Sequence, residues 1–208
     1  MKKSMCIIYI VEGKLYVNIT NKCSNRCEFC IRNNGDGAYG SDSLWLEREP
    51  TREEILDSIF SHNLESYPEL VFCGYGEPSY RLDDAVFVAK RVKEVYPKIK
   101  IRINTNGHSD LILGRKTAPD YEGAFDIVSI SLNTPSRERY QAICHSVFGE
   151  EAFDSLLSFA GEVKHYVPAV SLSCVKETLT DEEIEQCKEI CENLGVTLRL
   201  RDYIPPES

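Results

Sequence analysis

The sequence lacks a long hydrophobic run. Its most apolar early stretch, Met5 to Val11, is only a turn or two of helix long and is broken by Glu12 and Gly13. Neither a signal-peptide core nor a membrane span fits such a segment. Positive charge is also short: 24 lysines and arginines face 33 acidic residues, a formal charge of −9 at pH 7. That balance argues against a surface built throughout to hold nucleic acid, while leaving room for a local basic groove. Histidine is scarce. His62, His108, His145 and His165 stand far downstream of the first cysteines with no paired metal-ligand spacing, which counts against a zinc site of three cysteines and one histidine. Internal repeats and linkers are absent too, so 208 residues, 42% of them apolar, read as a single domain over 1–208.

Cysteine, in contrast, is abundant, with nine residues. An unexported chain meets no oxidising compartment, the count is odd and the spacing uneven, so disulfides are not expected. The chain reads as reduced and cytoplasmic, its cysteines serving as small buried residues or as metal ligands.

Cys6 to Val11 and Leu15 to Ile19 are β-rich runs joined by Glu12-Gly13-Lys14, a hairpin signal. Strand candidates follow at Glu69 to Gly74, Ile99 to Thr105, Asp126 to Asn133, Ala169 to Lys176 and Val196 to Tyr203. Helical stretches lie between them. Two open with a capping box, Thr51 with Glu54 and Thr180 with Glu183, and others cover Ser79 to Tyr96, Ser136 to Ser146 and Phe153 to Tyr166. With Leu15 to Ile19 counted first, six strands alternate with helices, the pattern of one parallel α/β sheet.

Strand parity carries a second message. Parallel strands covered on both faces are nearly continuous apolar runs, yet four of these alternate. Arg102, Asn104 and Asn106 share one face of the third strand, opposite Ile99, Ile101 and Ile103. Ser129, Ser131 and Asn133, then Ser171 and Ser173, then Arg199 and Arg201 repeat the pattern in the next three. In a sheet curled into an open barrel with helices outside, these rows line an interior that water or a polar ligand must satisfy. The alternative is a solvent-facing sheet. The expected fold is α/β, an open six-stranded (β/α)6 partial TIM barrel with an N-terminal β-hairpin extension. Residues 1–20 supply the hairpin and first strand, 21–50 a cluster-binding loop and long connector, and 51–208 the remaining β/α units and a short tail.

The first strand runs into Asn21-Lys22-Cys23-Ser24-Asn25-Arg26-Cys27-Glu28-Phe29-Cys30. Three thiols within eight residues lie on a loop at the C-terminal end of a parallel strand, where α/β folds keep their sites. Such spacing lets one loop wrap a soft-metal centre, and three thiolates in place of the usual four leave one coordination position open.

This C-x3-C-x2-C run, with Phe29 before its last cysteine, resembles the signature of the radical S-adenosylmethionine (radical SAM) superfamily. Cys73-Gly74-Tyr75-Gly76-Glu77-Pro78, ending the second strand, resembles that superfamily's Gly-x-Glu-Pro element, and Asn104-Thr105-Asn106-Gly107 its Thr-Asn-Gly corner. The resemblance implies a [4Fe–4S] cluster on Cys23, Cys27 and Cys30, with S-adenosylmethionine held along Gly74 to Pro78, where backbone and Glu77 receive the methionine amino group. Glycines permit close backbone approach, and a carboxylate suits an ammonium ion. Phe29, Asn104 and Asn106 carry over as further cofactor contacts. Ser129, Ser131 and Asn133 match the ribose-binding strand. Ser173 falls near adenine and ribose, although the family's Gly-x-Ile-x-Gly-x-x-Glu pattern is not legible around it. Arg199 or Arg201 would pair with the methionine carboxylate or with a substrate anion. The implied chemistry is reductive cleavage of the sulfur to C5′ bond, giving methionine and a 5′-deoxyadenosyl radical that abstracts a substrate hydrogen. A reductant such as flavodoxin or ferredoxin is implied with it.

At a finer level Leu44-Trp45-Leu46, Ile130 to Asn133 and Arg199 to Tyr203 resemble the small radical SAM proteins associated with TatD-family nucleases, making such a nuclease a candidate partner. Little chain follows Tyr203 to close a barrel, so the expectation is a bulky peptide, protein or RNA substrate, or a partner that completes the site. Acidic composition disfavours free nucleic acid unless Arg102, Arg199 and Arg201 form a groove. The connector Arg32 to Pro50 holds the only tryptophan, Trp45; it either shields the cysteine loop or is a surface excursion with Trp45 packed inward. Cys187 and Cys191 fit a helix core face, while Cys73 and Cys174 are strand residues that could approach the interior as hydrogen-atom donors. The alternative function is a non-catalytic iron–sulfur module for electron transfer or sensing.

Overall fold

The computed structural model describes residues 2–204; Pro205 to Ser208, most of the expected tail, lie outside the described residues. Seven strands form one sheet in chain order: β1 (Ile8–Val11), β2 (Lys14–Val17), β3 (Glu69–Phe72), β4 (Lys100–Thr105), β5 (Ile127–Ser131), β6 (Ala169–Val175) and β7 (Thr197–Arg201). β1 runs antiparallel to β2, and each later neighbouring pair is parallel. Glu12 and Gly13, with φ of 49° and 71°, make the tight two-residue turn whose twist matches the strands. The hairpin strand is therefore part of the sheet, its first edge, and the sheet counts seven strands. No pairing joins β7 back to β1, so the sheet stays open.

A parallel sheet in chain order has a consequence for its two faces. Right-handed crossovers that always step the same way put the connecting helices on one side. That side holds α1 (Arg52–Phe60), α2 (Leu82–Val95), α4 (Arg137–Cys144), α5 (Glu151–Val163) and α6 (Asp181–Leu194), with a short α3 (Ser109–Leu113) near the β4 corner. Both capping boxes form, at Thr51 with Glu54 and Thr180 with Glu183, each cap contributing about 1 kcal/mol. Tyr96 leaves the helical region at φ −126°, ψ 72°, as a residue preceding proline tends to. The apolar parity of every parallel strand, such as Leu15, Phe72, Ile101, Ile103, Val128 and Leu172, packs into the main core with these helices.

Cys174 belongs to this apolar parity and not to the interior suggested for it. Its sulfur lies 3.8 Å from that of Cys187 on α6, and both are fully buried with Cys191 beside them. Ser173 and Val175, its neighbours, take the other face, because side chains alternate along a strand.

Candidate cluster and cofactor site

The face opposite the helices is polar in rows. Asn104, Ser129, Ser171 and Thr197 align across four strands, and Ser131, Ser173 and Arg199 align one step nearer the C-terminal edge. β2 and β3 add Tyr16 and Glu69 by the same parity, and Cys73 follows directly from β3. Tyr9 pairs with Tyr16 across the hairpin, their rings 5.2 Å apart, and its hydroxyl donates to the Cys73 carbonyl at 3.2 Å.

The connector covers the hairpin end of this face. Leu44 and Leu46 are fully buried. The Asn21 side chain brackets Leu46, donating to its carbonyl at 2.8 Å and accepting from its N–H at 2.9 Å. Asn18 Nδ2 donates to the Leu44 carbonyl at 2.8 Å. The Tyr75 hydroxyl lies 3.0 and 2.8 Å from the carbonyl oxygens of Gly35 and Gly37, and its ring meets Trp45 edge-on at 5.2 Å. Tyr9, Val11, Ala38, Leu44 and Tyr75 thus form a second apolar cluster with a half-buried Trp45 packed against it. The connector is a strap fastened over the hairpin.

The cysteine loop leaves β2 and docks on the turn after α4. Arg26 N–H donates to the Cys144 carbonyl, Glu28 N–H to that of Ile143, and Val147 N–H to that of Ser24, at 2.9 to 3.0 Å. Beneath the loop is a buried ring of side chains. Asn106 Nδ2 donates to Ser24 Oγ at 2.7 Å, Ser24 Oγ lies 3.2 Å from His108 Nδ1, His108 Nε2 lies 3.2 Å from Tyr140 Oη, and Asn25 Nδ2 donates to Tyr140 Oη at 2.9 Å. Burial holds His108 down at about 4. The neutral ring then has one donor and one acceptor nitrogen to share among Ser24, Tyr140 and the backbone of Ala152. Ser24, Asn25, His108 and Tyr140 were not among the residues singled out from the sequence.

Cys23, Cys27 and Cys30 are half-buried and free. Burial, with Glu77 second, pushes the Cys23 thiol up to about 12. Contact with buried Cys144 and then burial raise Cys27, and burial raises Cys30. The Arg32 guanidinium, donating to the Asn25 carbonyl at 2.6 Å, pulls all three the other way. A bound metal would displace these protons. Among the described residues no three cysteine, histidine or acidic groups stand in ready ligand geometry. The donor chemistry nevertheless fits an iron–sulfur centre: three sulfurs on one loop, Cys27 within electrostatic reach of the other two, and a cation suited to thiolates beside them.

The glycine turn after β3 presses on the root of this loop. A Cβ on Gly74 would strike the Asn18 side chain, and one on Gly76 the carbonyls of Thr20 and Lys22. Glu77 N–H donates to the Lys22 carbonyl at 2.7 Å. The Glu77 carboxylate, 4% exposed, accepts from Ser79 N–H at 3.0 Å, Thr105 Oγ1 at 2.6 Å and Asn106 N–H at 2.7 Å. Burial raises its pKa despite these bonds. Glu77 therefore ties the β3 turn to the β4 corner, and Pro78 is buried behind it.

The remaining expected residues divide by environment. Phe29 is half-buried against the main core, and Asn106 is turned toward Ser24 and the His108 N–H. Ser129, Asn133 and Ser173 are buried, and the N–H groups of Leu132 and Asn133 both donate to the Ser173 carbonyl. Ser131 is half-buried, Arg201 half-buried and Arg199 exposed. Asn18 Oδ1, Asn104 Oδ1, Asn133 Oδ1, Arg102 Nε and Arg201 Nε are buried atoms with no partner among the described residues. Four of them lie on the polar face by strand parity, while Asn133 follows β5 with its Nδ2 on the buried Cys144 sulfur, and each costs about 1–3 kcal/mol if left unmet. A polar ligand lying along these rows is what such a surface fits.

An open parallel sheet with a three-thiol loop and a close-packed glycine turn at its C-terminal edge defines an α/β protein of the iron–sulfur class. The profile of the Radical SAM superfamily matches residues 17–191, and the chain belongs to that superfamily of enzymes. Their cofactors are a [4Fe–4S] cluster and S-adenosylmethionine. The chain is 28% identical over 191 residues to Molybdenum cofactor biosynthesis protein 1 of Drosophila melanogaster, covering 92% of this chain and 32% of the fly protein. It is 25% identical over 190 residues to GTP 3′,8-cyclase of Lactiplantibacillus plantarum, covering 91% and 53%. The chain thus spans about a third to a half of these relatives. Among solved structures, Streptococcus suis SuiB bound to S-adenosylmethionine superposes with a TM-score of 0.62 at 15% identity, over 91% of this chain and 40% of SuiB. Methylornithine synthase (PylB) superposes at 0.61 and 18% identity, over 91% and 53%. No helix among the described residues is long and apolar enough to cross a membrane.

Proposed function

We propose that the chain is the catalytic core of a radical SAM enzyme that reductively cleaves S-adenosylmethionine and abstracts a hydrogen atom from its substrate. The observation that carries this reading is the convergence of the cysteine loop, the glycine turn and four unpartnered polar atoms on one sheet face. When bound, the cluster supplies the electron that breaks the sulfur to C5′ bond. Cys23, Cys27 and Cys30 hold it. The backbone of Gly74 to Gly76 approaches the methionine end, while Ser129, Ser131, Asn133 and Ser173 take the ribose and adenine side. The buried ring beneath the loop fixes its position, and the strap keeps water from the hairpin end. In fold terms β2 to β7 act as a (β/α)6 partial barrel with β1 along one edge.

The substrate in this reading is bulky, a peptide, protein or RNA element, met where Arg199 stands exposed on the polar face. The TatD-family nuclease partner rests on sequence resemblance, and the reductant, flavodoxin or ferredoxin, on the superfamily's chemistry; both belong in the cytoplasm. Anaerobic reconstitution with iron, sulfide, S-adenosylmethionine and dithionite is expected to yield 5′-deoxyadenosine. An intact cluster that forms none would overturn the proposal in favour of an electron-transfer or sensing module.

A further inference from the structure

Two buried hydrogen-bond systems meet at the β4 corner, and one residue belongs to both. The first surrounds the Glu77 carboxylate, where Thr105 Oγ1 donates to Oε1 at 2.6 Å and Asn106 N–H to Oε2 at 2.7 Å. The second is the ring under the cysteine loop, which Asn106 enters by donating from Nδ2 to Ser24 Oγ at 2.7 Å. Among the described residues Asn106 alone bonds both to the Glu77 carboxylate and to Ser24.

The Asn106 amide has one orientation. His108 N–H can only donate, and it lies 3.1 Å from Oδ1, so Nδ2 must face Ser24. Ser24 Oγ accepts that bond and keeps its own proton for His108 Nδ1, 3.2 Å away. Both ends of the Asn106 side chain are therefore engaged inside the protein, and the residue is buried. Asn104, two positions earlier on the polar face, is the opposite case, half-buried with an Oδ1 that has no partner among the described residues. Cys23 stands between two tethers. On one side the Lys22 carbonyl accepts from Glu77 N–H at 2.7 Å, and on the other the fully buried Ser24 is held by Asn106. Both tethers end on Glu77, the first at its backbone and the second, through Asn106 N–H, at its carboxylate. A bond to a buried carboxylate is stronger than one between neutral groups, which makes the second tether firm.

We propose that Asn106 is a positioning residue that fixes Cys23 against Glu77 by way of Ser24, and that its side chain does not touch S-adenosylmethionine. This replaces the cofactor contact implied for Asn106 by its place in the Thr-Asn-Gly corner. It deepens the proposed function and rests on it for the cofactor at the glycine turn, whereas the clamp on Cys23 requires only that the loop hold an iron–sulfur centre.

The test compares Asn106→Ala, Ser24→Ala and the double variant after anaerobic reconstitution, with Cys187→Ala as a variant weakened far from the loop. Three quantities are read: the rate of iron release to a chelator, the electron paramagnetic resonance spectrum of the dithionite-reduced cluster, and the dissociation constant of S-adenosylmethionine by equilibrium dialysis. Each single variant is expected to release iron about fivefold faster, the factor that one lost hydrogen bond gives, and to broaden the spectrum. The double variant should be no worse than the poorer single, because both residues act through one bond. Cofactor affinity should fall alike in the two single variants, within a factor of about two. The proposal is overturned if either single variant releases iron as wild type does, if the spectrum is unchanged, if the two effects multiply in the double variant, or if Cys187→Ala releases iron as fast. It is equally overturned if Asn106→Ala weakens S-adenosylmethionine binding about tenfold further than Ser24→Ala does, which would make Asn106 a cofactor contact. Ser24→Ala leaves the bond to Glu77 in place and decides the point alone should Asn106→Ala not fold. Wild-type protein that keeps its cluster yet binds no S-adenosylmethionine would sink the radical reading, while iron release and the spectrum would still decide the clamp.

Discussion

Asn25 Nδ2 donates to Tyr140 Oη at 2.9 Å, joining the middle of the cysteine loop to α4 across 115 residues of sequence. Asn25 Oδ1 has no partner among the described residues, so among them this bond is the side-chain amide's only anchor. Tyr140→Phe removes the acceptor and strands a buried donor, at a cost of about 1–3 kcal/mol. The expected result is a lower urea midpoint together with less iron per chain after anaerobic reconstitution. Unchanged iron loading in a destabilised variant would show that the ring supports the fold without positioning the loop.

The same ring makes stability depend on pH. Burial holds His108 at about 4, against an ordinary 6.5. Between these values the unfolded chain binds a proton that the folded chain refuses, so the stabilising share is complete above 6.5 and is lost as pH falls toward 4. Its full size is on the order of 3 kcal/mol. Glu77, raised by burial, works in the opposite sense, its share lost as pH rises. His108→Phe isolates the first effect: between pH 7 and pH 5, wild type should lose more in urea midpoint than the variant. Equal losses would place the proton elsewhere.

Much of the fold was legible because its signals are local. Capping boxes span three residues, the hairpin turn two, and strand parity sorts Ser171 and Ser173 from Leu172 without any tertiary knowledge. Parity also sufficed for Cys174, which alternates with Ser173 and so faces the helices; the suggestion that it reaches the interior ran against that rule. The five residues of α3 are too few to show a helical period. The ring of Ser24, Asn25, His108 and Tyr140 was illegible for a different reason. Its bonds span 32 to 115 residues, and no spacing in the sequence encodes a contact that exists only once the β4 corner and α4 meet the loop. Glu77 was found by its motif, yet its partners Thr105 and Asn106 depend on how the two corners pack.

The glycine turn offers a graded test, since neither Gly74 nor Gly76 has a positive φ and only contact forbids a side chain. At Gly74 the obstacle is the Asn18 side chain, whose amide can turn away by giving up its bonds to the Cys6 and Leu44 carbonyls, leaving only its Cβ, 2.9 Å from the new methyl, to be met by a small backbone shift. At Gly76 it is backbone, the Thr20 and Lys22 carbonyls, which no rotamer change relieves. Overpacking of this kind costs about 1–3 kcal/mol, so Gly74→Ala belongs near the lower figure and Gly76→Ala at or beyond the upper. Urea unfolding orders the two, and S-adenosylmethionine affinity should follow the same order if the turn approaches the cofactor.

The nine cysteines differ by place, and iron content separates them. Cys23→Ala, Cys27→Ala and Cys30→Ala are each expected to lose most of the iron and acid-labile sulfide, because three sulfurs are the minimum that holds the cluster. Cys187→Ala, which removes a sulfur 3.8 Å from Cys174 on the helix side, should keep both and cost about 1 kcal/mol of stability. Cys144 is the discriminating control. It is fully buried beneath Cys27, accepts a bond from Asn133 Nδ2 at 3.4 Å, and is the foremost cause of the raised Cys27 thiol. Cys144→Ala should therefore lower the Cys27 pKa and retain iron, since it withdraws a thiol partner that competes with the metal. Iron loss in Cys144→Ala as deep as in Cys27→Ala would mean that the ligand set is drawn from a wider group than the loop.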